Sequence, residues 1–351
     1  MAFLNIPNVK IAGIASCVPG QKQLVQDCKC LSREDAAKLS ATTGIFERRV
    51  SNEETCTSDL CLAAANKLID ELKWERSSIE ALIFVTQTPD FILPSTAPIL
   101  QNKLNLSHRC LTLDISLGCS GYVYGLSTLA TLVSSGSIKR ALLLVGDTIT
   151  KICSEMDKST YPLFGDAGSA TALMYDETAS PIYASLYSDG EGYESIIVRD
   201  GGRRNAAKAE SLAAVLVDEG ISRSPGQLAL NGMDVFSFGI SKAPEVVREL
   251  LSDFNIDINS IDHFVFHQAN KMMNEKIRKK LDIDVSKVPY SLELFGNTSC
   301  ATIPLTITTQ IGDQLGARPS KLLLCGFGVG LSWGALYVET DQINCLPLIE
   351  I

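Results

Sequence analysis

Histidine is scarce in this chain, with three residues in 351 against eleven cysteines. Cys28 and Cys30 form a C-x-C, but no second pair at zinc spacing follows and the histidines lie far away, so no metal site is expected. Net positive charge is also missing. The 31 Lys and Arg stand against 40 Asp and Glu, and a formal charge of −9 argues against a general nucleic-acid binder. An acidic partner would have to meet a local basic patch. No apolar run reaches membrane-spanning length, and the opening MAFLNIPNVKIAGIASCVPG has neither the basic n-region nor the unbroken apolar core of a signal peptide. The expectation is a soluble, cytoplasmic protein with no membrane partner. The odd number of irregularly spaced cysteines reads as reduced thiols rather than a disulfide framework.

What the chain does contain is apolar mass, 46% hydrophobic residues with only 20% charged, enough for a large core. Runs such as ALIFVTQ, RCLTLDIS, RALLLVGD and SATALMYD alternate with helical patterns such as SDLCLAAANKLIDEL, which predicts an α/β protein with a largely buried sheet. The second half repeats the plan. The string SLELFGNTSCATIPLTITTQIGDQLGARPSKLLLCGFG follows the same order as LTLDISLGCSGYVYGLSTLATLVSSGSIKRALLLVGD: strand or loop, glycine turn, long helix, apolar strand. Two halves, 1–178 and 179–351, are expected, joined near residues 176–185. The glycine- and charge-rich stretch DGEGYESIIVRDGGRRNAAKAE reads as an excursion that forms a lid or pocket wall.

Cys119 stands where the apolar run LTLDIS gives way, through Gly118, to a helical pattern. Unpaired backbone N–H groups and the helix dipole converge there, so the thiol is expected to have a lowered pKa and to act as a nucleophile. A lone cysteine in that place is otherwise a small buried hydrophobe. His267 ends the apolar strand IDHFVF, and Asn297 lies in FGNTSCATIP, the turn that corresponds to the Cys119 turn in the other half. By itself His267 reads equally as a core histidine and as a catalytic one, and Asn297 reads first as a turn residue or helix cap. Together the three suit acyl transfer, with a thiolate attacking one thioester and two donors holding negative charge on the carbonyl oxygen of another.

The strings around Cys119, HQAN at 267–270, GNTS at 296–299, FGDAGSA at 164–170, GFGVGLSWG at 326–334 and GIFERRV at 44–50 resemble, in order and spacing, the motifs of the beta-ketoacyl-acyl-carrier-protein synthase III family of the thiolase superfamily. The resemblance runs from about residue 8 to residue 339. It implies a duplicated, five-layered α/β/α/β/α thiolase-like fold, a homodimer, and Cys119, His267 and Asn297 as the catalytic triad. It further implies a decarboxylating Claisen condensation of an acyl thioester primer with malonyl-acyl-carrier protein, through an acyl-Cys119 intermediate, in fatty acid or related biosynthesis. Acyl-CoA and carrier-protein thioesters are then the substrates, and no cofactor is needed. Backbone N–H groups of Cys119 and Val329 would form the oxyanion hole, and Phe164 and Leu93 would belong to the acyl pocket, Leu93 reaching across the dimer.

The chain departs from the family pattern around the CoA entrance. Lys38 and Thr42 occupy the places of an adenine-clamping Trp and Arg, and Lys158 replaces a stacking Arg. Met272 and Ser237 replace basic residues of the docking face. Lys271, Lys276, Arg278, Lys279 and Lys280 remain in one helical run and are expected to dock the acidic carrier protein. Two other enzyme readings are open. One is a relative that transfers acyl groups or joins two acyl chains head to head in a specialised pathway; the other is a Cys-His-Asn hydrolase, whose papain-like surroundings are absent. A non-catalytic scaffold is a third possibility.

Overall fold

The computed structural model describes residues 2–351, the side chain of Ala2 aside. Two sheets carry the chain. The first runs in the order Asn344–Cys345, Val9–Val18, Ala167–Tyr175, Arg140–Asp147, Ala81–Val85, Leu111–Ile115, and Ile349–Glu350 also pairs with Val9–Val18. The second has the order Ala2–Ile6, Ile182–Ser188, Ser332–Thr340, Ser320–Gly328, His263–Phe266.

Each sheet is apolar on both faces, which is why its strands read as continuous hydrophobic runs. In Ala81–Val85, Ile83 and Val85 pack inward against the helices Gly121–Ser134 and Thr302–Thr306, among residues drawn from both sheets. Leu82 and Phe84 face the other way, onto Leu60 and Leu68 of the helix Thr57–Glu71 and Leu100 of Thr96–Lys103. The second sheet is covered likewise, Phe264 and Phe266 packing with Val246 and Leu250 of Gly232–Asp253 and with Ile277 of Lys271–Lys280. The result is five layers, α/β/α/β/α, with two helices buried at the centre.

The chain termini cross the boundary drawn at residue 178. Ala2–Ile6 pairs antiparallel with Ile182–Ser188 in the second sheet, and the segments at 344–345 and 349–350 pair parallel with Val9–Val18 in the first. Pairing partners this far apart leave no local pattern in the sequence. The stretch read as a join, 176–185, also contains the start of the strand Ile182–Ser188. The glycine-rich excursion is folded. Ile196–Ile197 pairs with Ala229–Leu230, and Val215–Asp218 forms a hairpin with Ile221–Arg223, held down by a 2.8 Å ion pair from Arg223 to the buried Asp157.

Candidate active site

Three turns meet at one end of the central helices. Cys119 precedes the helix Gly121–Ser134, Asn297 precedes the turn Ser299–Ala301 that opens the second central helix, and His267 follows the strand His263–Phe266. All three line one cavity of about 320 Å³, together with Phe164, Ser299, Gly328 and Val329.

Cys119 is gripped on one side by backbone. A Cβ added to Gly328 would lie 2.8 Å from its sulfur, so only glycine fits there. The N–H groups of Val329 and of Cys119 itself and the Ser299 hydroxyl act to favour its thiolate. The lowered pKa expected from the helix mouth does not hold. Burial pushes the thiol up to about 11, and the Asp147 carboxylate adds to the rise. Desolvation outweighs the hydrogen bonds that favour the thiolate.

His267 is fixed at the backbone by its own N–H donating to Cys325 O at 2.8 Å and by Asn274 Nδ2 donating to its carbonyl at 3.1 Å. The rest of HQAN is scaffold. Gln268 binds Phe266 O, and the Asn270 side chain accepts the Met273 N–H to cap the next helix. The His267 ring holds Thr302 Oγ1 through Nδ1 at 2.8 Å, leaving Nε2 for the cavity. Burial depresses its pKa to about 3, so the ring is neutral at ordinary pH. Asn297 is oriented just as firmly: the Ser299 N–H donates to its Oδ1 at 2.9 Å, which turns the amide NH₂ outward as a donor.

Phe164 is locked to this turn, since Asn297 N donates to Leu163 O and Gly165 N to Asn297 O. Behind it the fully buried Arg48 donates to Phe164 O at 2.7 Å and stacks on Tyr161. The apolar end of the cavity is built by Ile149, Ile152 and Phe164 with Ile196 and Ile197 of the excursion, which thus contributes to the pocket wall, and with Leu228 and Leu230 beyond it. Arg48, Ser299 and Thr302 were not singled out from sequence; only the GIFERRV and GNTS strings pointed near them.

The remaining candidates lie outside the cavity. Leu93 is 80% exposed in a loop with Phe91 and Ile92 and does not line the cavity of its own chain. Lys271, Lys276, Lys279 and Lys280 are exposed on the helix Lys271–Lys280, Lys276 lying over the Phe236 ring. Arg278 does not share that outward role. Its guanidinium turns back onto Glu275 at 2.7 Å and donates to Ile283 O, because an acid three residues earlier lies on the same helix face. Among the described residues no helix is long and apolar enough to cross a membrane.

Comparison with known proteins agrees with this architecture. The family model described as 3-oxoacyl-[acyl-carrier-protein (ACP)] synthase III matches residues 113–190, and that of its C-terminal part matches residues 251–340. The beta-ketoacyl-[acyl-carrier-protein] synthase III of Clostridioides difficile is 32% identical over 94% of this chain and 97% of its own length. That of Neisseria meningitidis serogroup B is 31% identical over 94% and 98%. A crystal structure of 3-oxoacyl-(acyl-carrier protein) synthase from Burkholderia xenovorans superposes with a TM-score of 0.93 at 38% identity, covering 100% of this chain and 99% of the other. Similarity at this identity, running nearly the full length of both proteins, places the chain in the beta-ketoacyl-[acyl-carrier-protein] synthase III family of thiolase-fold condensing enzymes.

Proposed function

We propose that this enzyme, an acyltransferase of the condensing class, joins an acyl primer to malonyl-acyl-carrier protein with loss of carbon dioxide, using Cys119 as acyl carrier. The observation that carries the reading is the pairing of a cysteine with two neutral donors in one cavity. The primer acylates Cys119 while the N–H groups of Cys119 and Val329 hold the oxyanion. Malonyl thioester then places its carbonyl oxygen between His267 Nε2 and Asn297 Nδ2. This role uses the tautomer with the ring proton on Nε2, in which Nδ1 accepts the Thr302 hydroxyl at 2.8 Å in place of that hydroxyl's 3.0 Å bond to Ser299 O. Carbon dioxide leaves, the two donors hold the enolate, and its carbon attacks the acyl-cysteine. Phe164 keeps water from the acyl-enzyme. The chemistry runs on thioesters and needs no resident cofactor; the setting is the cytoplasm, and the product enters fatty acid or related biosynthesis.

Incubation with a panel of acyl-CoAs and acyl-carrier proteins, followed by intact-protein mass, tests the acyl-carrier role. Release of carbon dioxide from malonyl-carrier protein in step with ketoacyl product tests the condensation. Acylation without that release would leave simple acyl transfer in its place. Delivery of the primer by carrier protein is favoured by the entrance: Lys38 is engaged with Glu34 at 2.6 Å rather than offering a stacking face for adenine. The carrier would dock on Lys271, Lys276, Lys279 and Lys280.

Gly328→Ala is expected to cut the acylation rate by about a hundredfold, since the added methyl displaces the sulfur it would touch. Stopped-time mass measurements would show it, and a rate equal to the parent's would contradict the crowding. The decarboxylation half-reaction should show no histidine titration between about pH 5 and 8, because the His267 ring stays neutral across that range. The same depression has a stability sign. The unfolded ring takes a proton below its ordinary pKa of 6.5 while the native ring does not, so its contribution is present above that pH and is lost as pH falls toward about 3.

A homodimer is supported by the edge strand Leu111–Ile115, which exposes Leu111 and Leu113, and by the apolar loop Phe91 to Leu93. In such a dimer the partner's loop completes the acyl pocket. Leu113→Lys is expected to shift sedimentation from dimer to monomer; a parent protein already monomeric would remove the reading.

A further inference from the structure

The largest wholly buried side chain among the described residues carries a charge. Arg48 lies in the short strand Glu47–Arg49, opposite Gln23 of the strand Lys22–Leu24. Its neighbour Arg49 has Glu47 and Glu350 beside it, whereas Arg48 has no acidic group within ion-pair distance among the described residues. A buried guanidinium without an acid costs a fold more than a methionine of similar length would. The condensation described above gives it no task.

Its partners converge on one turn. Nη1 donates to Tyr161 O and, at 2.7 Å, to Phe164 O, the two ends of the tight turn that carries Phe164 to the cavity. Nη2 donates to Gln23 Oε1 and to the Cys28 sulfur at 3.6 Å, and Gln23 Oε1 also accepts the Tyr161 hydroxyl at 3.3 Å. The planar fork suits two carbonyls of one turn in a way that a lysine ammonium does not. The stem of Arg48 has a second neighbour. Its Cγ lies 3.6 Å from where a Cβ on Gly296 would stand, so it packs beneath the Gly296–Asn297 turn. That turn runs beside Phe164 as a parallel bridge, Asn297 N donating to Leu163 O at 2.9 Å and Gly165 N to Asn297 O at 3.1 Å. One side chain therefore underlies both the ring that walls the cavity and the amide that faces into it.

We propose that Arg48 is a positioning residue of the condensation, a clamp that holds Phe164 against the Asn297 turn so that water stays off the acyl-cysteine and the amide donor stays aimed; the role rests on the acyl-carrier function given to Cys119 above. Without the clamp the turn Tyr161–Leu163 loosens and water reaches the acyl carbon. The water oxygen then forms the new C–O bond, the C–S bond breaks, its electron pair and a water proton return to sulfur, and the free acid leaves. Acylation itself draws on backbone donors of other elements. Cys119 and Val329 share no hydrogen bond with Arg48 among the described residues, so the first half-reaction is left near the parent rate.

The test follows enzyme that has been acylated and freed of excess primer, by intact-protein mass, in the parent, Arg48→Met, Arg48→Lys and Gln23→Leu. In Arg48→Met, which keeps the length but none of the donors, the acyl mass is expected to decay about tenfold faster than in the parent. The share of acyl groups that ends in ketoacyl product on addition of malonyl-carrier protein should fall, while acylation per folded enzyme stays within about threefold of the parent. Arg48→Lys keeps the charge without the fork and Gln23→Leu removes one of its acceptors, so both should move the same two readouts by less. A merely structural residue would lower acylation and condensation together and leave the acyl lifetime unmoved. A parent-like lifetime in Arg48→Met, or acylation that falls in step with condensation, overturns the proposal. Should that variant fail to fold, a parent-like lifetime in both Arg48→Lys and Gln23→Leu overturns it. A parent that takes up no acyl mass removes the acyl-carrier reading and the clamp with it, an outcome no variant can imitate.

Discussion

Replacing Cys119 by alanine is expected to leave no acyl adduct on the intact protein and to lower turnover by at least about ten-thousandfold. The expectation follows from the cavity, in which the sulfur is the strongest nucleophile and sits against two backbone N–H donors. Ser116 and Ser299 also line that space, but a hydroxyl without an adjacent base is a far weaker nucleophile than a thiol whose proton can be removed. An acyl mass retained in Cys119→Ala would therefore move the carrier role to another residue and undo the proposed mechanism. The variant should fold normally, since alanine occupies less of the same space and breaks no backbone hydrogen bond.

His267→Ala and Asn297→Ala should separate the two half-reactions. Each is expected to acylate Cys119 near the parent rate and to lose decarboxylation by about a hundred- to a thousandfold, the usual effect of removing one preorganised donor at a developing oxyanion. The split arises because neither side chain carries charge or acts as base. The ring is neutral, and the amide is turned donor-outward by the Ser299 N–H. Asn297→Asp is a sharper form of the test: it keeps the shape and the bond from Ser299 but replaces the donor with an acceptor. Release of carbon dioxide, counted on enzyme already acylated, is the measurement. Equal loss of both half-reactions would make His267 a general base and favour the hydrolase reading.

The strand-turn-helix pattern around Cys119 and the matching turn at Asn297 were legible because both are local: an apolar run, a glycine, then helical periodicity. The central layer was legible for the same reason. What the sequence hid are properties that depend on distant segments meeting. The expected fall in the Cys119 pKa took account of the helix mouth but not of the surrounding layers that desolvate the thiol. Asp147 ends a strand of the first sheet while Ser299 and Thr302 stand at the start of the second central helix, and nothing in the sequence announces that they converge on Cys119 and His267. The run KIRKK displays its charge plainly, yet the Glu275 that draws Arg278 back had to be seen in place. Arg48 belongs to the GIFERRV string, but nothing local in that string shows that it is wholly buried beneath Phe164.

The exchange of edge strands between the two sheets sets a timetable for synthesis. Ala2–Ile6 leaves the ribosome well before its pairing partner Ile182–Ser188, which follows only after roughly ten to thirty seconds of elongation at ~5–20 residues per second. Val9–Val18, for its part, waits for the segments at 344–345 and 349–350 before its outer edge is covered. Early and late segments are thus each other's templates. A ribosome halted midway would hold a nascent chain with two apolar edges unsatisfied, a natural client for chaperones, and expression of the halves as separate polypeptides should give aggregates unless both are made together.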